Sequence, residues 1–502
     1  MWSALVAIFA KGLAIQSSLW YPHSFNGQPS LEEPFMRRAA ILSGLILAAE
    51  LAGFISPIRA QTSEDVGGCY KESNPDQAID YCTRAIEAGR LPASNLAIVF
   101  TNRGNAYNYK GEYERAIQDF EQAIRLDRGC AYAFNGLGNA YNGKGDYDRA
   151  IRDFDQAIRL IPDYGYAFNG RGNAYNDKGE YDRAIQDFDQ AIRLNPKYAY
   201  AFNGRGNAYN HKGQHDRAIQ DYDEAIRLKP DHAYAFNGRG NAYNDKGEYD
   251  RAIQDFDQAI RLNPKYAYAF NGRGNAYNDK GEYDRAIQDY DEAVRLDPNY
   301  ANAFFNRGNA YNSKGDYDRA IQNYNQAVTL DPNFVDAFFN RGFARFEQGA
   351  IAAAVPDFAK SAELAPADRY NILWLYIVTA RSGQNADATL GNNQRMDLVS
   401  WPGPVLSLFL KKNDRKAVVE AAKDPDGKKQ RDRLCEAHFF LAEYELLVDV
   451  EEAAGADFQE AVNTCRPTVV EYSAATAELK RLPHQSSSRL DANKETDVDA
   501  DR

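Results

Sequence analysis

The sequence repeats itself every 34 residues, eight times without a gap, from Ala97 to Asp368. Residues 233–266, for example, read AYAFNGRGNAYNDKGEYDRAIQDFDQAIRLNPKY. A period of this length indicates one supersecondary unit per repeat, and such a unit cannot bury its apolar face alone. We therefore expect the repeats to stack, instead of forming the roughly three or four separate domains that 502 residues would otherwise suggest.

Within each repeat, small and aromatic residues recur at spacings of three and four, which places them on one face of a helix. With each repeat numbered from 1 to 34, positions 4, 8 and 11 are Phe, Gly and Tyr, and positions 20, 24 and 27 are Ala, Phe or Tyr, and Ala. Gly at position 15 and Pro at position 32 end the two helices that this pattern predicts. We expect the small residues to allow close helix contact and the rings at positions 4, 11 and 24 to fill the core.

This pattern resembles the tetratricopeptide repeat, and it covers residues 97–368. The resemblance implies an all-α, helix-turn-helix solenoid that winds as a right-handed superhelix. It also implies that the first helix of each repeat lines the concave side, with positions 2, 5, 9 and 12 pointing into the groove.

The groove positions carry tyrosine and asparagine in an unusually regular way. Position 2 is Tyr and position 5 is Asn in repeats two to six, and positions 9 and 12 are Asn in seven repeats. The candidate groove residues are Tyr132, Asn135, Tyr166, Asn169, Asn173, Asn176, Tyr200, Asn203, Asn207, Asn210, Tyr234, Asn237, Asn241, Asn244, Tyr268, Asn271, Asn275 and Asn278. A primary amide both donates and accepts, so a row of them can hold a peptide backbone, and Tyr adds flat contact area. Glycan is an open alternative ligand, and Asn at position 9 is equally compatible with a structural role.

Charged residues also recur at fixed positions. Arg occupies position 7 and Asp position 23 in seven repeats each, which predicts an ion-pair seam and not a binding site. The net charge is −12 and no block of Lys or Arg occurs, so the chain lacks the basic footprint that a nucleic-acid partner requires.

No constellation for catalysis is visible in the sequence. His211, His215 and His232 lie close enough in the chain to suggest a metal site, but they replace Asp, Tyr and Tyr of the sister repeats, which drift explains better. We therefore predict a non-enzymatic protein with no catalytic residue, no metal and no cofactor.

The N-terminal sequence predicts export. Residues 1–35 are interpreted as an extension, and translation starts at either Met1 or Met36. Residues 36–60 combine a charged start, an apolar stretch and a small residue at Ala60, as a secretory signal does. Glu50 interrupts the apolar stretch and weakens the alternative of a membrane anchor. We expect a periplasmic or exported protein, with membrane association as the second choice.

The cysteines fit an exported protein. Cys69 and Cys82 fall at positions 11 and 24 of a partial unit, 61–96, interpreted as an N-terminal capping half-repeat. Cys435 and Cys465 fall at positions 1 and 31 of a degenerate repeat, where antiparallel helices also meet. Both pairs could satisfy disulfide spacing, whereas Cys130 has no obvious partner.

Residues 369–483 leave the strict period but stay helical, and 484–502 are polar and predicted to be disordered. The stretches LWLYIVTARSG (373–383), WPGPVLSLFL (401–410) and AHFFLAEYELL (437–447) resemble the C-terminal module of NlpI-type periplasmic lipoproteins. That resemblance implies an adaptor whose partners are other proteins, among them cell-wall hydrolases and proteases. The lipid-bearing Cys of those proteins is missing, since Gly53 is followed by Phe54, so stable membrane anchoring is not expected.

The sequence thus predicts a protein-binding scaffold of the bacterial cell envelope that binds extended peptides in a Tyr- and Asn-lined groove. A glycan-binding cell-wall protein and a subunit of an export machine are the alternatives, and the oligomeric state is left open.

The predicted signal can be tested directly. Expression of the whole reading frame in a bacterium should yield a mature chain that begins at Gln61 and is released by osmotic shock, because cleavage follows Ala60. N-terminal sequencing of the released protein checks this. A chain that keeps residues 36–60 and sediments with the membranes would contradict it.

Overall fold

The computed structural model of the chain describes residues 57–387, 389, 397–466 and 469–482. The predicted extension (1–35), nearly all of the predicted signal (36–60) and the predicted tail (484–502) lie outside the described residues. Over the described ranges the chain is all-α, with 24 helices and no strand.

The helices are numbered α1 to α24 in chain order. The first twelve are α1 Pro57–Lys71, α2 Pro75–Glu87, α3 Ala93–Tyr109, α4 Tyr113–Leu126, α5 Ala131–Gly143, α6 Tyr147–Leu160, α7 Gly165–Asp177, α8 Tyr181–Leu194, α9 Ala199–His211, α10 His215–Leu228, α11 Ala233–Asp245 and α12 Tyr249–Leu262. The others are α13 Ala267–Asp279, α14 Tyr283–Leu296, α15 Ala301–Ser313, α16 Tyr317–Leu330, α17 Val335–Glu347, α18 Ile351–Leu364, α19 Arg369–Arg381, α20 Gly403–Phe409, α21 Arg415–Ala421, α22 Gly427–Leu447, α23 Glu451–Thr464 and α24 Val470–Arg481.

These helices form two compact units that divide between Pro264 and Lys265. In unit 1, α1 to α12 are six helical hairpins, and each hairpin stacks on the next. In unit 2, three hairpins (α13 to α18) are followed by the C-terminal module, α19 to α24. The segment predicted as a half-repeat, 61–96, contains α2 and most of α1, so a hairpin of two helices precedes the first full repeat where the sequence indicated a partial unit.

The hairpin boundaries follow the repeat pattern, as predicted. From the second repeat onward the first helix covers positions 1–13 and the second covers positions 17–30. Gly at position 15 has a left-handed backbone, for example φ 81° at Gly179, which ends the first helix. The second helix ends two residues before the Pro of position 32, because the residue before a proline avoids the helical conformation.

The ring at position 24 is the centre of each hairpin. Phe188 is fully buried between Gly172, on the first helix of its own repeat, and Gly204, on the first helix of the next. A Cβ atom on Gly172 would lie 2.9 Å from Phe188 Cε1, closer than carbon atoms approach without displacement. Gly at position 8 was expected to allow close contact; its partner, Gly at position 6 in repeats two to six, was not recognised from the sequence.

The other two aromatic positions fill the core only in part. Phe168 at position 4 and Tyr175 at position 11 are only partly buried. Guanidinium groups lie over these two rings. That of Arg171 is 5.5 Å from the Phe168 ring, and that of Arg183 is 5.5 Å from the Tyr175 ring. The prediction is confirmed for some repeats, where Tyr107, Tyr243 and Tyr277 are buried, whereas in others charged side chains cover the partly exposed rings.

In unit 2 the core is continuous with the C-terminal module. Trp374 of α19 is fully buried, and six phenylalanine rings surround it with centroids 5.2–6.3 Å away. They are Phe339, Phe343, Phe346, Phe358, Phe439 and Phe440. Repeat 8 and the hairpin α22–α23 therefore share one apolar core.

Two disulfides tie helices together. Cys69–Cys82 joins α1 to α2, and Cys435–Cys465 joins α22 to the end of α23. Cys130 is a buried free thiol, with its Sγ 3.9 Å from the Thr101 hydroxyl. None of the described helices is long and apolar enough to cross a bilayer.

The close contact at position 24 can be tested with one methyl group. Gly204→Ala should lower the free energy of unfolding by about 1–2 kcal/mol, because overpacking against Phe188 outweighs the better helix propensity of Ala. Gly165→Ala is the matched control: its new Cβ would meet nothing nearer than 3.7 Å, and the sister repeat has Ala233 there. Thermal and urea unfolding followed by circular dichroism measure both, and equal stability of the two variants would contradict the packing.

Candidate ligand-binding groove

The first helices line the inside of unit 1. Helices α3, α5, α7, α9 and α11 contact one another directly, whereas the second helices mainly contact the helices on either side of them in sequence. The first helices therefore lie closer together, on the concave side. We call the surface formed by positions 2, 5, 9 and 12 of these helices the inner face.

Tyrosines of position 2 belong to a continuous row of rings, which we call the aromatic row. It alternates positions 2 and 34, and neighbouring ring centroids are 4.7–6.0 Å apart. In unit 1 its members are Tyr132, Tyr164, Tyr166, Tyr198, Tyr200, His232 and Tyr234. Most contacts are edge-to-face, the arrangement that ring quadrupoles prefer, so each position 2 ring is held by a buried neighbour.

The position 34 members were not recognised from the sequence, although Tyr or His recurs there. Burial raises the pKa of Tyr164 and Tyr198 well above the ordinary tyrosine value, and it lowers the pKa of His232 to about 4. His232 is therefore neutral near pH 7. In unit 2, Tyr266, Tyr268 and Tyr300 form a shorter row, and Tyr268 is 53% exposed.

In unit 1 the carbonyl oxygens of the position 5 asparagines have no hydrogen-bond partner among the described residues. The Oδ1 atoms of four of them are enclosed and accept no hydrogen bond from the described part of the chain. These four are Asn135, Asn169, Asn203 and Asn237. A buried polar atom without a partner costs about 1–3 kcal/mol, so the fold itself gains nothing evident from this row. In unit 2, by contrast, Asn271 Oδ1 accepts a hydrogen bond from Asn306 Nδ2 at 3.0 Å.

Position 9 has a structural role wherever position 24 is Tyr. The Tyr222 hydroxyl donates to Asn207 Oδ1 at 2.7 Å, and the Tyr290 hydroxyl donates to Asn275 Oδ1 at 2.8 Å. In the intervening repeats the ring is Phe and offers no hydroxyl. There Asn173 is half-buried and Asn241 is exposed. The alternation of Phe and Tyr at position 24 is thus the signal that separates the two roles.

Position 12 asparagines connect neighbouring first helices. Asn142 Nδ2 donates to Asp177 Oδ2 at 3.2 Å, and Asn210 Nδ2 donates to Asp245 Oδ2 at 3.0 Å. Both acceptors are position 13 residues of the following repeat. Asn176, Asn244 and Asn278 are half-buried at the equivalent place. The fold thus uses the Nδ2 donors of this ladder, whereas the Oδ1 atoms of Asn142, Asn176 and Asn278, like those of position 5, accept no hydrogen bond from the described part of the chain.

The predicted ion-pair seam is present, and it is more extensive than expected. Arg205 forms a bidentate pair with Asp221 of its own repeat, at 2.8 and 2.7 Å, and also bonds Asp189 of the preceding repeat at 2.5 Å. Arg239 makes the same two contacts, with Asp255 and Asp223. Each arginine therefore links two consecutive second helices.

One repeat lacks this arginine. Position 7 of repeat 2 is Leu137, so Asp153 at position 23 has no guanidinium from that position beside it. Burial raises the pKa of Asp153 to about 7, and the nearby Glu121 acts in the same direction, while Arg152 and Arg149 only partly oppose it.

The three histidines serve separate roles. His211 stacks on Tyr181 with centroids 5.1 Å apart, His215 Nδ1 lies 2.8 Å from Asn210 Oδ1, and His232 is inside the aromatic row. Among the described residues no group of three His, Cys, Asp or Glu side chains could hold a metal ion.

Stacked two-helix hairpins with an exposed inner face define an α-helical repeat protein. Family comparison identifies the repeats: the model described as "Tetratricopeptide repeat" matches residues 101–165 and 169–233, and the model described as "TPR repeat" matches 240–279, 274–313 and 308–349. The chain therefore contains tetratricopeptide repeats, a repeat class typical of protein–protein interaction and generally without enzymatic activity.

Solved structures with similarity to the chain include tetratricopeptide repeat proteins. A tetratricopeptide repeat protein from Parabacteroides merdae is 20% identical, covering 50% of this chain and 99% of its own, with a TM-score of 0.42. YrrB, described as a TPR protein with an unusual peptide-binding site, is 24% identical, covering 37% and 95%, with a TM-score of 0.28. MamA is 28% identical over 33% of this chain and 97% of its own, with a TM-score of 0.28. No curated protein matches the chain.

The missing arginine of repeat 2 gives a pH-dependent prediction. The folded pKa of Asp153 lies above its unfolded value, so folding is favoured at low pH and this contribution is lost as pH rises from about 4 to about 7. Leu137→Arg should place a cation between Asp153 and Glu121 and reduce this loss, although burial still raises the pKa of the equivalent Asp187 beside Arg171. Between pH 5 and pH 8 the variant should lose about 1 kcal/mol less stability than the wild-type chain, allowing for solvent screening.

The reverse substitution is the control. Arg205→Leu should cost on the order of 3 kcal/mol near neutral pH, since it leaves Asp221 buried and unpaired, and the cost should shrink below pH 5. Urea unfolding at several pH values measures both variants. Parallel pH profiles for wild-type and Leu137→Arg chains would show that Asp153 does not titrate in this range.

Proposed function

We propose that the chain is a non-enzymatic scaffold whose inner face binds extended peptide segments of partner proteins. The observation that carries this proposal is the position 5 row of unit 1, where four consecutive repeats keep an amide whose Oδ1 has no partner among the described residues. Asn is also a poorer helix former than Ala. The row therefore lowers the stability of the fold in two ways, through the unpartnered oxygen and through helix propensity. Their Oδ1 atoms are enclosed, so a ligand would bond these amides through Nδ2 or after a turn of the side chain, and such a ligand accounts for their presence.

A peptide backbone suits this row. It offers carbonyl and N–H groups at regular intervals, and an Asn amide can turn about its last torsion to donate to one or accept from the other. The position 2 rings beside the row supply apolar contact and are already fixed by the aromatic row, so little rotamer entropy is lost on binding.

We also propose that the protein works in the cell envelope. The predicted signal at 36–60 and the two disulfides support this, because disulfides persist in oxidising compartments. The resemblance of the C-terminal module to NlpI-type proteins favours cell-wall hydrolases or proteases as the partners that the scaffold brings together.

Substitution of the whole position 5 row tests the binding proposal. Peptides are first selected from a random 15-residue library by binding to the wild-type chain, and their affinity is measured by fluorescence anisotropy. Replacement of Asn135, Asn169, Asn203 and Asn237 by Ala should weaken binding at least tenfold, because each change removes a net 0.5–1.5 kcal/mol, roughly one hydrogen bond. The melting temperature should hold or rise, since Ala is the better helix former.

A second variant pair separates binding from folding. Asn207→Ala should lower stability by about 1–3 kcal/mol, because it leaves the Tyr222 hydroxyl buried without an acceptor, and adding Tyr222→Phe should restore most of it. A position 5 variant that melts lower but binds as before would refute the peptide-binding role. Binding of soluble chitooligosaccharides, lost in the same variant, would favour the glycan alternative instead.

A further inference from the structure

The spacing of the inner face restricts the conformation of its ligand. Packed helices lie about 8–10 Å apart, and the first helices of unit 1 pack directly on one another. A polyproline II helix completes one turn in three residues, over about 9.3 Å. Such a ligand presents the same side to every repeat. The side chains of a β-strand point in the same direction about every 6.7 Å, so a strand no longer matches the spacing of the first helices after one or two repeats.

The chemistry of the two rows agrees with this spacing. A proline-rich segment lacks most of its N–H groups and offers carbonyl oxygens, which an Asn amide can meet by donating. Tyr166 and Tyr200 present rings that Tyr198, between them, contacts at 5.1 and 6.0 Å. Fixed flat rings beside hydrogen-bond donors are the arrangement that recognises a preformed polyproline II segment.

Two exposed carboxylates at the end of the first helices add a second restriction. Asp177 and Asp245 stand at position 13, two repeats apart, and each accepts a hydrogen bond from the position 12 asparagine of the preceding repeat. Lys178 and Lys246, which follow them in the chain, are bound to acidic side chains of the second helices. His215 Nδ1 lies 3.9 Å from Asp245 Oδ2.

The other cations of the first helices also point away from these carboxylates. The arginines of α7, α9 and α11 are turned to the second helices, where each binds two aspartates. A Lys or Arg side chain of the ligand can therefore supply the positive charge beside Asp177 and Asp245 that these arginines do not supply. Two repeats correspond to about six residues of polyproline II.

We infer that the inner face of unit 1 takes a proline-rich polyproline II segment, in a register of three residues per repeat, with Lys or Arg at every sixth residue. This inference rests on the proposed function, because it names the ligand class of the same surface.

Synthetic peptides of 18 residues test it against the full chain by isothermal titration calorimetry. The first is three copies of Pro-Pro-Gln-Pro-Pro-Lys. The second is three copies of Gly-Ser-Gln-Gly-Ser-Lys, with the same charges on a flexible backbone. The third is three copies of Pro-Pro-Gln-Pro-Pro-Glu. The first should bind at least tenfold more tightly than either of the others.

Variants connect the affinity to the residues. Asp177→Asn with Asp245→Asn should weaken the first peptide at least fivefold and reduce the salt dependence of its binding, because two charge contacts are lost. Tyr166→Ala with Tyr200→Ala should weaken it similarly without changing the salt dependence.

A charge-matched control comes from the ion-pair seam. Asp155→Asn with Asp223→Asn removes the same two charges, but these carboxylates bind Arg171 and Arg239 on the side of the second helices. The control should leave both the affinity and its salt dependence unchanged. An equal loss of affinity in the control and in the position 13 variant would show that net charge, and not the two position 13 carboxylates, selects the basic peptide.

The outcomes distinguish this inference from the proposed function. Equal affinity for the first two peptides would overturn the polyproline II conformation and leave peptide binding in place. Equal affinity for the first and third would overturn the basic register. If none of the three synthetic peptides binds while library-selected peptides still bind through the position 5 row, the inference alone is overturned. If neither the synthetic nor the library-selected peptides bind, the proposed function is overturned as well.

Discussion

The contact between the position 24 ring and two glycines is the constraint on which the repeat array depends. Phe188 touches the backbone of α7 at Gly172 and that of α9 at Gly204, so one side chain holds three helices together. Because neither glycine has a Cβ, the first helices come close, and their distance is set by the thickness of one ring. This contact therefore sets the spacing of the side chains on the inner face, from the aromatic row to the position 5 amides.

The ion-pair seam has an indirect effect on the inner face. The position 7 arginines stand on first helices, yet their guanidinium groups are bound by side chains of second helices, as Arg205 is by Asp221 and Asp189. The cations are thereby kept on the outer side of the helix layer. What remains on the inner face is phenol, amide and a few carboxylates, a surface that favours neutral or basic ligands. Where Leu137 replaces the arginine, burial raises the pKa of Asp153 to about 7, and even beside Arg171 burial raises the pKa of Asp187 above its ordinary value.

Most of the fold could be predicted because the repeat supplies eight copies of the same information. Helix boundaries at Gly179 and its equivalents, and the pairing of Arg at position 7 with Asp at position 23, follow from spacing alone. The burial of the rings could not be ranked, because Phe168 and Phe188 look alike in a sequence and differ only in what covers them. The candidate site was harder to predict for a related reason: Asn207 accepts a hydrogen bond from the Tyr222 hydroxyl, whereas Asn173 lies in a repeat whose position 24 ring is Phe188, without a hydroxyl. Only the alternation of Phe and Tyr at position 24 gave a sequence signal for this difference.

The equivalence of the position 5 amides has a consequence for how a bound ligand moves. Four nearly identical binding positions in a line make the inner face of unit 1 a short one-dimensional lattice. A ligand shorter than this lattice can bind in several registers. Each register is a separate way of forming the complex, so the population of the bound state rises with the number of registers. A segment can also step from one register to the next while its other contacts persist, so that a partner held in this way is retained on the scaffold and still free to slide along it.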